Sequence, residues 1–190
     1  MIQKFSFEKL KLDGAYRIDP FVALDERGSF IKDYSKEVFE QNNISHKLQE
    51  VFYTISVKGV IRAIHFQHTK QQAKLVRCIS GRIYDIIIDL RKNSPTFKEW
   101  CGFELSGDNK KEIYVPEGFG HGYLVLENSI VSYKCSEKFY SEYDDGIMWN
   151  DQDLAIKWPL DWVNNKIILS EKDQNLQSFA EFLHSTGGGF

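Results

Sequence analysis

Gly59 to Gln67 reads GVIRAIHFQ, an apolar, β-branched run that nonetheless carries Arg62 and His65. Ionisable groups in such a run are costly to bury unless they are paired or put to use. Three more polar side chains sit in or beside similar runs: Lys74 in AKLVRCIS, His121 in HGYLVLE and Tyr133 in SIVSYKC. Each has an ordinary alternative. A strand histidine is commonly a hydrogen-bonded core or rim residue, a lysine opening a strand can snorkel to water, and a barrel tyrosine can hold its hydroxyl at the rim. His65 is the hardest of them to explain that way. Metal ligation is the first chemistry to weigh. His65 and His68 form H-x-x-H, but residues three apart on a regular strand face opposite sides. His121 could join His65, yet no carboxylate stands at a matching spacing, and a metal needs three or four convergent ligands. No metal site is expected. The same period-two rule separates Arg62 from His65. Both can serve one site only if the strand is bulged or if neighbouring subunits divide them, and the rule leaves both open.

The elements that must position these side chains are mostly strands. EVFYTISV, GVIRAIHFQ, AKLVRCIS, RIYDIIIDLR, KEWCGFEL, KEIYVPE, HGYLVLE and SIVSYKCSEKF are short and rich in β-branched and aromatic residues. Turn signals fall at Lys58-Gly59, Ser80-Gly81, SGDNKK, PEGFG and Glu127-Asn128. Short strands at regular spacing predict an all-β sandwich or barrel, with a double-sheet jelly roll as the best match. Helices are expected only in SKEVFEQNNI, capped by Ser35, and in NLQSFAEFLHS. Neither a G-x-G-x-x-G fingerprint nor a P-loop occurs. One domain over residues 1–184 is expected, followed by a loose tail over 185–190, HSTGGGF being poor in anchoring residues.

The 190 residues, 42% hydrophobic and 14% aromatic, suffice for one sizeable core. A formal net charge of -3 lacks the electropositive footprint of a nucleic-acid binder. No run reaches membrane-span length, and MIQKFSFEKLKLDGAY mixes charge too finely for a signal peptide. Cys78, Cys101 and Cys135 are far apart without C-x-x-C, so reduced core thiols in a cytoplasmic protein are expected.

Seven blocks, in this order and spacing, carry a resemblance: DERGSFIKDY, GVIRAIHFQ, QQAKLVRCISGRIYDIIIDLRKNSPTF, YVPEGFGHGYLVLE, SYKCSEKFYSEYDDGIMWND, LAIKWPL and LSEKD. Over nearly its whole length the chain resembles the dTDP-4-dehydrorhamnose 3,5-epimerases and their relatives, which act on nucleotide-diphospho-4-keto sugars. The resemblance implies a cupin-type jelly roll, a homodimer exchanging N-terminal strands, and no metal or other cofactor. It matches His65 to the catalytic base, Asp173 of LSEKD to the carboxylate that orients it, Lys74 to the lysine at the 4-keto oxygen and Tyr133 to the proton-returning tyrosine. Arg62, His121 and Lys172 fall where such enzymes line the sugar and diphosphate, and Arg27 and Phe30 where they hold the nucleotide.

The chain also departs from that pattern. R-G-L-H is replaced by Arg62-Ala63-Ile64-His65, and the extra methyl group of Ala63 predicts a reshaped sugar pocket. A tyrosine four residues after the cysteine of Y-K-C is replaced by Phe139, which removes a hydroxyl and would narrow the reaction to one carbon, unless Tyr140 turns inward instead. Lys32 stands where thymidine-using members carry glutamate, and Glu50-Val51-Phe52 where they carry Q-x-N. Exchanging acceptor for donor predicts a different base, and Lys32 with Glu50 could meet the mixed donors and acceptors of guanine. The expected function is therefore epimerisation at C3, C5 or both of a 4-keto hexose or heptose, GDP-linked rather than dTDP-linked. The alternatives are a 3,4-ketoisomerase, an inactive sugar-nucleotide-binding cupin and a metal-dependent dioxygenase.

Overall fold

The computed structural model describes residues 2–190. The strands are β1 (Ile2–Gln3), β2 (Ser6–Lys9), β3 (Tyr16–Asp19), β4 (Phe21–Asp25), β5 (Gly28–Lys32), β6 (Glu50–Ser56), β7 (Ile61–Gln67), β8 (Lys74–Asp89), β9 (Trp100–Ser106), β10 (Glu112–Val115), β11 (Phe119–Cys135) and β12 (Asp144–Gly146). Helices α1 (Lys36–Gln41), α2 (Glu171–Gln174) and α3 (Phe179–Thr186) are short. The antiparallel strands build a cupin-type jelly roll. Nine of them form one sheet in the order β12-β7-β11-β8-β10-β3-β2, with β6 paired to β11 and β9 to β8. Strands β1, β4 and β5 form a separate three-stranded sheet, the N-terminal arm.

Two turn signals became bends inside long strands. Ser80-Gly81 and Glu127-Asn128 each lie within one continuous element, β8 and β11, which pair along most of their length with register shifts between Val125 and Val131. Bulges of this kind bend a ribbon without ending it. Gly81 is needed there: its φ is +76°, and a Cβ would stand 2.1 Å from the Asn128 carbonyl oxygen.

Alternation on these strands sorts residues to two sides. Ile83, Ile87, Tyr123, Val125 and Tyr133 face the barrel interior. Ile86, Ile88, Leu124 and Leu126 face outward, beneath a cover formed by Val163, Phe179 and Phe182. Ser178 caps α3 and Glu181 reciprocates in a capping box, which fixes where this cover begins. The expected loose tail is instead part of it. Thr186 is helical, the Phe190 ring packs 5.2 Å from Phe66 and 5.3 Å from Phe182, and its backbone exchanges hydrogen bonds with Leu90 and Lys92. The terminal aromatic supplies the anchor that the glycines before it lack.

A buried ionic cluster ties the arm to the barrel. Asp33, just past β5, accepts from Lys134 Nζ at 2.8 Å and from Arg77 Nη1 at 3.3 Å, and Lys134 reaches Glu112 at 3.2 Å. Burial pushes the Glu112 carboxyl up to about 7 against the pull of Lys134. Burial likewise takes His46 down to about 4; its Nε2 lies 3.1 Å from the Lys134 carbonyl oxygen.

Candidate active site

Strand β7 passes its two polar residues to the same side by a bulge. His65 pairs with His121 and Arg62 with Tyr123, so three steps on β7 match two on β11. The extra residue lies in Ala63-Ile64, and both of these side chains are fully buried on the outer face. Arg62 and His65 therefore line one interior cavity of about 300 Å³. Gly122 permits the bulge, since a Cβ there would meet the Arg62 carbonyl oxygen at 2.7 Å and Ala63 Cα at 2.8 Å. Ala63 does not reshape the cavity as its extra methyl group predicted, because the bulge turns that methyl into the outer core.

The cavity brings together His65, Asp173, Lys74, Tyr133, Arg62, His121, Lys172 and Phe139. His65 Nε2 lies 2.7 Å from Asp173 Oδ1. Ser170 caps α2, accepts the Asp173 N–H at 3.0 Å, and donates its hydroxyl to Asp173 Oδ2 at 2.6 Å. Burial opposes ionisation of Asp173, but the hydrogen bonds from His65 and Ser170 outweigh it and hold the carboxyl below its usual range. An ionised carboxylate only accepts. Nε2 of His65 therefore carries the hydrogen, and Nδ1 is left as a bare acceptor. Asp173 lies in a short helix whose cap fixes its orientation.

Lys74 opens β8 and is buried, and its Nζ has no hydrogen-bond partner among the described residues. Burial lowers its pKa, against the opposing fields of Cys135, Asp144 and Asp85. Tyr133 stacks on Phe52 at 4.7 Å, and burial raises its pKa well above the ordinary tyrosine value, so its hydroxyl stays protonated. Arg62 Nε donates to Ser56 at 3.2 Å, and Lys172 pairs with Asp144. Phe139 faces the cavity. Tyr140 turns away and packs on Tyr143 at 5.6 Å.

Two carboxylates of this site escaped the sequence reading. Asp85 is fully buried, lies 2.8 Å from His121 Nε2, and has its other oxygen unpartnered; burial raises its pKa despite that contact. It interrupts the apolar run RIYDIIID with the inward parity of Ile83 and Ile87, the same signal that marked His65. Asp144 left no such mark, since it belongs to a polar stretch.

The residues expected at the nucleotide do not join the cavity of their own chain. Arg27, exposed at the tip of the β4–β5 hairpin, pairs with Asp25. Phe30 is exposed beside Phe21, whose ring also carries Lys32 Nζ at 5.6 Å. Glu50 points elsewhere and accepts the Phe139 N–H at 2.9 Å. Lys32 and Glu50 thus form no base-reading pair within the chain, because the arm projects from the barrel. Among the described residues, no group of three His, Cys, Asp or Glu side chains could hold a metal ion, and no helix is long and apolar enough to cross a membrane.

Residues 9–181 match the family model of dTDP-4-dehydrorhamnose 3,5-epimerase. The chain is 46% identical over 179 residues to the dTDP-4-dehydrorhamnose 3,5-epimerase of Methanothermobacter thermautotrophicus, covering 94% of this chain and 96% of the relative. Among solved structures, the Bacillus anthracis dTDP-4-dehydrorhamnose 3,5-epimerase with TDP and PPi bound superimposes with a TM-score of 0.86 at 40% identity, covering 93% of this chain and 100% of that one. The Mycobacterium tuberculosis rmlC epimerase gives 0.89 at 35%, covering 96% and 92%. With its jelly roll and its His-Asp, Lys and Tyr side chains on one cavity, the chain belongs to the dTDP-4-dehydrorhamnose 3,5-epimerase family and is a nucleotide-sugar epimerase, an isomerase.

Proposed function

We propose that the chain inverts C3, C5 or both of a dTDP-linked 4-keto-6-deoxy sugar by proton abstraction and return. The ketone acidifies hydrogens on both neighbouring carbons. Nδ1 of His65 takes one of them, and the carbon–hydrogen pair moves into an enolate whose charge settles on the 4-oxygen. Histidine suits this role because its ordinary pKa of about 6.5 lies near working pH. Asp173 keeps the hydrogen on Nε2 and supports the imidazolium that forms. The Lys74 ammonium, free of protein partners, meets the enolate oxygen. Tyr133 returns a proton to the other face and is reprotonated from water, as the imidazolium gives up its proton. Arg62, His121 and Lys172 hold the sugar and diphosphate. No proton is gained or lost overall.

The observation that carries this reading is the His65–Asp173 pair sharing one cavity with a partnerless buried lysine and a tyrosine kept protonated. The guanine expectation is not supported: the relatives' names carry dTDP, and Glu50 is engaged by the Phe139 N–H. Replacement of the family's tyrosine hydroxyl by Phe139 favours reaction at a single carbon. Arg27 and Phe30 act on the nucleotide of a second copy, reached by the N-terminal arm. The exposed stripe Val51, Tyr53, Ile55 on β6 supplies the apolar surface for that copy to cover.

The test is deuterium incorporation from heavy water into dTDP-4-keto-6-deoxyglucose. Label at C3 or C5, lost in H65N with dTDP binding retained, is expected. Label at neither carbon overturns the reading. Tighter calorimetric binding of GDP than of dTDP would restore the guanine alternative, and a monomer in sedimentation would overturn the shared site.

A further inference from the structure

Residues 136–143 join β11 to β12 without regular structure, yet the backbone of 137–140 is held from three directions. Gln67, buried at the end of β7, donates its amide hydrogens to the Lys70 carbonyl at 2.6 Å and the Lys138 carbonyl at 3.2 Å. Its amide oxygen accepts the Tyr140 N–H at 2.7 Å. Gln72 donates to the Glu137 carbonyl at 2.8 Å, and Glu50 accepts the Phe139 N–H at 2.9 Å. Four successive residues each have a backbone group bound by a side chain. In a surface connection such groups usually turn to water. The loop is therefore built to hold one shape, and what it presents is the Phe139 ring in the cavity wall.

We propose that Gln67 is a positioning residue which, through the backbone of Lys138 and Tyr140, fixes Phe139 against the sugar and so sets which carbon beside the ketone meets His65. Gln67 lies two residues beyond His65 on β7, so wall and base are referenced to one strand. Gln67 itself lines the cavity, but both amide hydrogens are committed to carbonyl groups and its amide oxygen to the Tyr140 N–H, so it acts on the sugar through the loop. A misplacement of about 1 Å between reacting groups costs on the order of 10²-fold in rate, so a small slip of the wall suffices to change which hydrogen is reached. The same geometry gives Glu50 an anchoring role at Phe139.

The inference rests on the epimerase reading above, and the experiment separates the two. Deuterium entry at C3 and at C5 of dTDP-4-keto-6-deoxyglucose is measured for the wild type and for Q67M, E50L and E50Q. Q67M is expected to shift the C3:C5 ratio at least threefold, or to open a carbon silent in the wild type, while kcat falls more than KM rises. E50L shifts the ratio too, and E50Q, which keeps an acceptor oxygen, restores it. Exchange at neither carbon in the wild type removes both readings. Normal wild-type exchange with an unchanged ratio in Q67M and E50L overturns the positioning role alone. Should Q67M fail to fold, the E50L and E50Q pair decides: an unchanged ratio in E50L, or equal loss in both, overturns it.

Discussion

Nε2 of His65 lies 2.7 Å from Oδ1 of Asp173 although 108 residues separate them in the chain. The contact closes β7 onto α2, and it fixes the one histidine nitrogen left free to take a proton. D173N is expected to lower kcat roughly 10²–10⁴-fold with little change in KM, because the wrong tautomer is then favoured. Ionised Asp173 supports the imidazolium that forms, and S170A, which removes the hydroxyl hydrogen bond to that carboxylate, is expected to lower kcat with little change in KM. An unchanged kcat in D173N would separate Asp173 from catalysis.

Lys74 and Tyr133 are driven apart by the same burial, the lysine downward and the tyrosine upward. The alkaline limb of kcat should therefore lie below the ordinary lysine range and belong to Lys74, whose cation is lost as pH rises through its pKa. K74M should cost roughly 10²–10³ in kcat and abolish this limb. Persistence of the limb in K74M would assign it elsewhere.

Ala63 and Gly122 face each other across the bulge. A63G removes a methyl from the outer core, costing about 1 kcal/mol in chemical denaturation, and should leave KM unchanged. G122A drives a Cβ against backbone and should cost more than about 2 kcal/mol while lowering kcat. A changed KM in A63G would put the methyl group back in the sugar pocket.

Glu112 holds a proton in the folded protein up to about pH 7, against an ordinary value of 4.5. Its contribution to stability is full below about 4.5 and falls as pH rises to about 7. His46, ordinarily 6.5 and here about 4, acts oppositely: its contribution is full above 6.5 and falls as pH drops to about 4. The two offset each other in the wild type. In E112Q only the histidine remains, so the variant should gain on the wild type between pH 5 and 8, by at most about 3 kcal/mol. Parallel melting-temperature profiles would refute this.

By itself the sequence determined the strand-rich fold, the two flanking helices and most of the polar side chains of the cavity. The reason is local: alternation, turn residues and an ionisable group within an apolar run are all written in neighbouring positions. It did not decide that Arg62 and His65 share a face, because a bulge depends on the partner strand, here on Gly122. Nor did it decide that Ser80-Gly81 and Glu127-Asn128 bend strands, since a turn and a bulge use the same residues. Asp173 at His65, Asp85 at His121, and Glu50 at Phe139 rather than at a base are contacts between segments 36 to 108 residues apart. Only the folded chain brings such segments together.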